Sequence, residues 1–369
     1  MKAWVLHGIS EIKYQEIDKP APGRGEVLLS VKAAGICGSD IPRIFETGAH
    51  RHPLVCGHEF SGQVEAIGEG VPAAWMGSRV GVFPLIPCKE CEMCRQEKYE
   101  MCRNYNYLGS RCDGGFAEYV VVPEWNLIRL PETVTFQQAA MMEPMAVSVH
   151  AMRRAGLDGN ASSRDVGNKR SGILRETDYG KPIAVIGAGT IGLLLVMVLL
   201  EAGYHNLFII GNKEFQKRKA LEMGIEGDHF CNVKEQDADT WLADKTKGCG
   251  FDVVFECVGK SETVEQALTY TAASGTVVLV GNPHERRMSF NRDVYWNILR
   301  HQLRVCGTWN SGFSHDKKDD WVYAVERIAG GTLHPEKLIT HRLTLDNLEK
   351  GLHLMRDKTE DYGKVMVIS

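Results

Sequence analysis

The chain is short of net charge, of long apolar runs and of low-complexity sequence, and each shortage removes a class of function. Its 43 Lys and Arg nearly balance its 47 Asp and Glu across 369 residues, leaving a formal charge of −4. So small an excess makes no field to hold a polyanion, so neither nucleic acid nor a membrane surface is an expected partner. Met1 to Gln15 mixes Lys, His, Glu and apolar residues without the apolar core of a secretory signal, which makes the expected location cytoplasmic. One stretch, Ile183 to Leu200, lacks charge and has the length to cross a bilayer. Its three glycines and its Lys181 and Glu201 borders fit a buried strand running into a buried helix instead.

Cysteine, by contrast, is plentiful and spaced for metal. Of the 11 cysteines, Cys88, Cys91, Cys94 and Cys102 form a C-x-x-C-x-x-C-x7-C loop, and the others are scattered. Four thiolates in one short loop make the closed tetrahedral shell of a structural zinc. An iron–sulfur cluster fits the same ligand type, whereas a disulfide cluster needs an oxidising compartment.

The residues from Met1 to about Ala140 read as short strands broken by Gly and Pro, an all-β, barrel-like lobe. A helix is expected from about Val147, and the polar stretch 157–181 reads as a loop insertion. Strands and helices then alternate as in a doubly wound parallel sheet, until mixed short elements return from about Asn297. The expected class is therefore α/β, with a β-rich domain at 1–150 completed by 297–369 and a Rossmann domain at 151–296.

Within that second domain, Gly187-Ala188-Gly189-Thr190-Ile191-Gly192 is a G-x-G-x-x-G between an apolar strand and a helix. Gly187, Gly189, Thr190, Ile191 and Gly192 are the expected cradle for a dinucleotide pyrophosphate. The next strand ends in Gly211-Asn212-Lys213, where a site preferring NAD carries an acid on the ribose. With Lys213 and Arg218 at hand for a 2′-phosphate, the expectation is NADP(H) over NAD(H); the alternative is that Lys213, Lys217 and Arg218 form a solvated helix face.

Cys37, His58, Glu59 and Glu143 lie in three separate segments and together offer a mixed hard and soft donor set, suited to a zinc with an open position. Gly57-His58-Glu59, Gly62, Gly68 and Val71 stand as G-H-E-x-x-G-x5-G-x-x-V. With the cysteine loop, the glycine fingerprint and Glu143-Pro144, the chain resembles the zinc-containing medium-chain dehydrogenases, in their polyol branch. The segments Cys37 to Phe45 and Gly109 to Tyr119 resemble the galactitol-1-phosphate 5-dehydrogenases.

That resemblance implies a GroES-like catalytic domain, two zinc ions per chain and a homodimer or homotetramer. Cys37, His58 and Glu143 would be ligands of the catalytic zinc, with Glu59 a ligand or its exchange partner. Asp40 would orient His58, and Ser39 would carry the substrate's proton towards solvent; Pro42 stands where simpler relatives place a relay histidine. Arg43, His50 and Trp309 would line the substrate cleft. The implied reaction oxidises a secondary alcohol of a polyol or polyol phosphate to a ketose; the alternative is an amino-alcohol or diol dehydrogenase of the threonine or butanediol type.

Overall fold

The computed structural model describes residues 1–158, 180–283 and 285–369. The chain forms two units, Met1–Ala146 with Ser311–Ser369, and Val147–Asn310. Of the insertion expected at 157–181, residues 159–179 lie outside the described residues.

The first unit is built on the strand Glu26–Ile36, whose Val27, Leu29 and Val31 are buried in its core. In the seven-stranded sheet this strand lies between Glu59–Ile67 and Lys364–Ile368, and Tyr119–Pro123 also pairs with it. The last strand of the chain thus lies beside one of the first, so the site near Cys37 draws on both ends of the sequence. A capping box, Thr135 with Gln138, opens the helix Phe136–Ala140, which leads into the helix Met142–Arg154. That helix starts before the Val147 expected from sequence, so Glu143 lies in its first turn. Pro144 is tolerated there because a first-turn N–H has no intrahelical partner to lose.

In the second unit six parallel strands run in the order Phe230–Asn232, Leu207–Gly211, Ile183–Ile186, Phe251–Glu256, Thr271–Leu279, Arg304–Gly307. The order reverses beside Ile183–Ile186, the switch point at which doubly wound sheets bind ligands. The charge-free run is accounted for by that strand and the buried helix Thr190–Glu201; among the described residues no helix is long and apolar enough to cross a membrane. The expected return to the first domain at 297 is corrected. Asn297 lies inside the helix Arg292–Arg300, and Arg304–Gly307 adds the sixth strand, so the second unit runs on to Asn310.

The turn from Gly109 to Gly115 lies against Gly57, the residue before His58. A Cβ on Gly114 would stand 2.1 Å from the Gly57 carbonyl oxygen, and one on Gly109 would stand 2.3 Å from it. Neither neighbour is a flexible side chain that could yield. Gly114→Ala is expected to lower stability by about 1–3 kcal/mol or more, read as a fall in the urea midpoint at unchanged slope.

Candidate active site

The site in the first unit is organised by a pair that crosses a strand. Glu59 stands opposite Gly35 on one side of Glu26–Ile36, and Lys364 opens the strand on the other side. The Glu59 carboxylate reaches over Gly35, and Lys364 Nζ donates to its two oxygens at 2.7 and 2.6 Å. A Cβ at position 35 would fall 2.2 Å from Glu59 Oε2, so the bridge needs glycine at that point. Both partners are sealed, with side chains 1% and 4% exposed for Glu59 and Lys364.

Around the pair the ligand atoms of Cys37, His58 and Glu59 lie within 4.8 Å of one another. Asp40, fully buried, accepts from the Cys37 N–H at 3.0 Å and from Arg43 Nη1 at 2.6 Å. Its Oδ1 is 3.5 Å from His58 Nδ1, an ion-pair distance without hydrogen-bond geometry. Burial disfavours a charge on either group, yet their mutual attraction wins: Asp40 is held below the usual carboxylate range and His58 well above its ordinary value. Ser39 Oγ donates to Cys37 Sγ at 3.3 Å.

Glu143 is buried and accepts from the Tyr107 hydroxyl at 3.3 Å. Burial pushes its carboxyl up to about 7; Glu59 adds to the rise, while His58, Lys364 and Tyr107 oppose it. A thiol, an imidazole and a carboxylate whose ligand atoms lie within 4.8 Å of one another, with the Glu143 carboxyl near His58 and Glu59, make a mixed hard and soft donor set that fits a zinc ion.

The cysteine loop fits a metal by distance. Its sulfur separations are 3.9 Å (Cys88–Cys94), 3.5 Å (Cys91–Cys94), 4.0 Å (Cys91–Cys102) and 3.5 Å (Cys88–Cys102). A tetrahedral shell with bonds near 2.3 Å sets sulfurs about 3.8 Å apart. Backbone N–H groups, that of Arg103 foremost, pull the Cys91 thiol down to about 6, which favours the thiolate a metal requires.

In the second unit a cavity of about 620 Å³ is lined by Gly187, Gly189, Gly211, Asn212, Gln216 and Lys260, among others. Gly192 closes helix on strand, since a Cβ there would stand 1.9 Å from the Gly187 carbonyl oxygen, while Gly189 faces open space at the N-terminus of Thr190–Glu201. Pyrophosphate fits such an open backbone under helix N–H groups. Lys213 precedes the helix Glu214–Glu222, and Arg218 is exposed, 4.0 Å from Glu222.

Other expected residues fall differently. Arg43 is a partner of Asp40, its side chain 17% exposed, rather than a free cation for a phosphate. His50 is exposed in the first unit; Trp309 is exposed in the second. Lys364 and Tyr107 were not foreseen. A charged residue opening the apolar strand Lys364–Ile368 was the one available signal for the first, and the second had none.

Residues 23–132 match the alcohol dehydrogenase GroES-like domain, and residues 190–330 match the zinc-binding dehydrogenase domain. The chain is 31% identical over 362 residues to galactitol 1-phosphate 5-dehydrogenase of Escherichia coli K12, covering 98% of this chain and 94% of that one. It is 30% identical over 349 residues to L-threonine 3-dehydrogenase of Pyrococcus horikoshii, covering 92% and 91%. The crystal structure of galactitol-1-phosphate dehydrogenase from Escherichia coli superposes with a TM-score of 0.87 at 29% identity over all of both chains. A zinc-binding dehydrogenase from Sinorhizobium meliloti 1021 bound to NADP gives 0.85 at 28%, covering 100% and 99%. Fold, sites and likenesses together define an NAD(P)-dependent alcohol dehydrogenase. The chain belongs to the zinc-containing medium-chain dehydrogenase family, and its fold matches that family's polyol dehydrogenases.

The raised Glu143 carboxyl makes stability depend on pH. Between its unfolded value of 4.5 and about 7, native metal-free chain holds a proton that unfolded chain has released. The contribution is full below the unfolded value and is lost as pH rises to about 7, about 3 kcal/mol in all. Urea unfolding in chelator is expected to show this fall between about pH 5 and about pH 7.5, and Glu143→Gln to flatten it.

Proposed function

We propose that the enzyme oxidises a secondary hydroxyl of a polyol or polyol phosphate, of the galactitol 1-phosphate kind, to the ketose, with NADP⁺ as hydride acceptor. The observation that carries this reading is the gathering of Cys37, His58 and Glu59 around the Lys364 ammonium, with the Glu143 carboxylate beside them. Cys37, His58 and Glu143, with Glu59 within reach, would hold a zinc ion, which would supply the Lewis acidity that makes an alcohol ionisable near neutral pH. Ser39 Oγ, already beside the Cys37 sulfur, takes the alcohol proton and passes it outward. Asp40 steadies His58 from its Nδ1 side, and Lys364 fixes the Glu59 carboxylate with two hydrogen bonds. Gly187, Gly189, Thr190, Ile191 and Gly192 hold the pyrophosphate, Gly211 and Asn212 the ribose, and Lys213 and Arg218 the 2′-phosphate. His50 and Trp309 contact the substrate. The cysteine loop holds a structural zinc. Exposed Tyr295, Trp296, Leu299 and Val305 support self-association as a dimer or tetramer, and the location is the cytoplasm.

The likeness to L-threonine 3-dehydrogenase supports the second reading, an amino-alcohol or diol dehydrogenase. A panel of sugar alcohols, their phosphates, L-threonine and butanediol, run with NAD⁺ and NADP⁺, separates the two. The expected result is turnover of galactitol 1-phosphate with kcat/KM at least about tenfold above galactitol and threonine. Equal rates with and without the phosphate remove the phosphate, and preference for threonine establishes the alternative. NADPH is expected to bind more tightly than NADH; a tenfold advantage for NADH, about 1.4 kcal/mol, reverses the cofactor assignment. Cys37→Ala is expected to abolish turnover on every substrate, while leaving the sulfur-bound zinc in place.

A further inference from the structure

The cysteine loop Cys88 to Cys102 is enclosed by a hairpin of only two residue pairs, Leu85 with Tyr107 and Ile86 with Asn106. Two pairs cannot hold so long a loop by themselves. Leu108, buried in the core, adds a bond from its N–H to the Pro84 carbonyl at 2.9 Å. Tyr107 is thus held on that side by the core and on the other by whatever closes the loop, and four sulfurs at metal-shell spacing close it. From that anchor Tyr107 reaches the catalytic centre directly. Its hydroxyl donates to Glu143 Oε1 at 3.3 Å, and its ring meets His58 edge-on, with centroids 5.8 Å apart. Its carbonyl oxygen accepts from the N–H groups of Ser110, Arg111 and Cys112 at 3.2, 2.8 and 3.1 Å. Those bonds start the glycine turn that lies on Gly57, immediately before His58.

We propose that Tyr107 is a positioning residue through which the cysteine loop, once closed by its metal, fixes Glu143 and His58. The inference rests on the reading of Cys37, His58 and Glu143 as the catalytic centre. A donor on Oε1 sets the torsion of Glu143 and so decides how its carboxyl is presented towards His58. Outer partners of this kind are worth about 10- to 100-fold in metal affinity or activity.

The test uses the full zinc-loaded enzyme and Tyr107→Phe, which removes only the hydroxyl. The expected result is a wild-type zinc content and melting midpoint with kcat/KM lowered about 10- to 100-fold. The visible band of enzyme carrying cobalt at the catalytic centre shifts as well, which a mere wall residue would not cause. Wild-type kcat/KM with an unmoved band overturns the proposal. The link to the loop is read by Cys94→Ser in both backgrounds, or, should that variant not fold, by Cys91→Ser, which likewise removes one sulfur from the shell. Coupling predicts a loss in the wild-type background that shrinks to under about twofold beside Tyr107→Phe; no loss, or full addition of the two, overturns it. A wild-type zinc content of one per chain, confined to the cysteine loop, would instead sink the underlying catalytic reading.

Discussion

A buried ammonium governs the chemistry of the first unit. Lys364 is spent on Glu59 across the backbone of Gly35, in a place where neither charge reaches water. Separately, each of these ions would cost several kcal/mol to bury. Together they fix the Glu59 side chain and leave the three remaining acids of the site, Cys37, Asp40 and Glu143, facing Arg43 and His58. Attraction to Asp40 and Cys37 keeps a proton on His58 against the cost of burial, while burial itself, with Glu59 adding to it, keeps one on Glu143. A divalent ion would displace those protons, which makes metal binding tighter as pH rises.

That organising pair was the part of the site least legible in the sequence. Glu59 and Lys364 are 305 positions apart, and a single lysine at the start of an apolar strand is ordinarily a surface residue. Tyr107 was invisible for a related reason: tyrosine has no spacing rule, and its role comes from the loop it leaves. By contrast, the cysteine loop and the glycine fingerprint were legible because their ligands are local, so that spacing alone fixes the geometry. The sixth strand, Arg304–Gly307, was missed because it is short, at the sheet edge and mostly exposed, without the apolar run that marked the inner strands. Glu143 was found by residue type. The start of its helix was not, since the run from Met142 through Pro144 reads as a boundary when the first-turn tolerance for proline is ignored.

The second unit depends on close backbone approach rather than on charge. Gly187 sits at φ 98°, with Val258 against its α-carbon, and Gly192 brings helix Thr190–Glu201 onto the strand. Acids do line the cavity, but Asp237 is occupied in capping the helix Ala238–Thr246 and Asp239 in accepting from Tyr270. Glu256 points its Oε1 back to the N–H groups of Val258 and Gly259 and to the Thr263 hydroxyl, shaping the loop after its strand. None of these carboxylates ends the strand Leu207–Gly211. Asn212 and Lys213 follow that strand instead, which is the basis of the proposed preference for a phosphorylated ribose.

In the proposed zinc site Glu143 stands where a second sulfur could, and that has a consequence for the substrate. A thiolate shares its charge with zinc, whereas a carboxylate oxygen is harder and leaves more positive charge on the metal. Its own proton affinity, raised to about 7 by burial, would let it serve as a ligand above that pH and hold a proton below. Replacing sulfur by oxygen also brings a second polar partner into the site, since the Glu143 carboxyl accepts from the Tyr107 hydroxyl at 3.3 Å. On the proposed reading, a harder metal centre suits a substrate rich in oxygen donors better than an apolar alcohol.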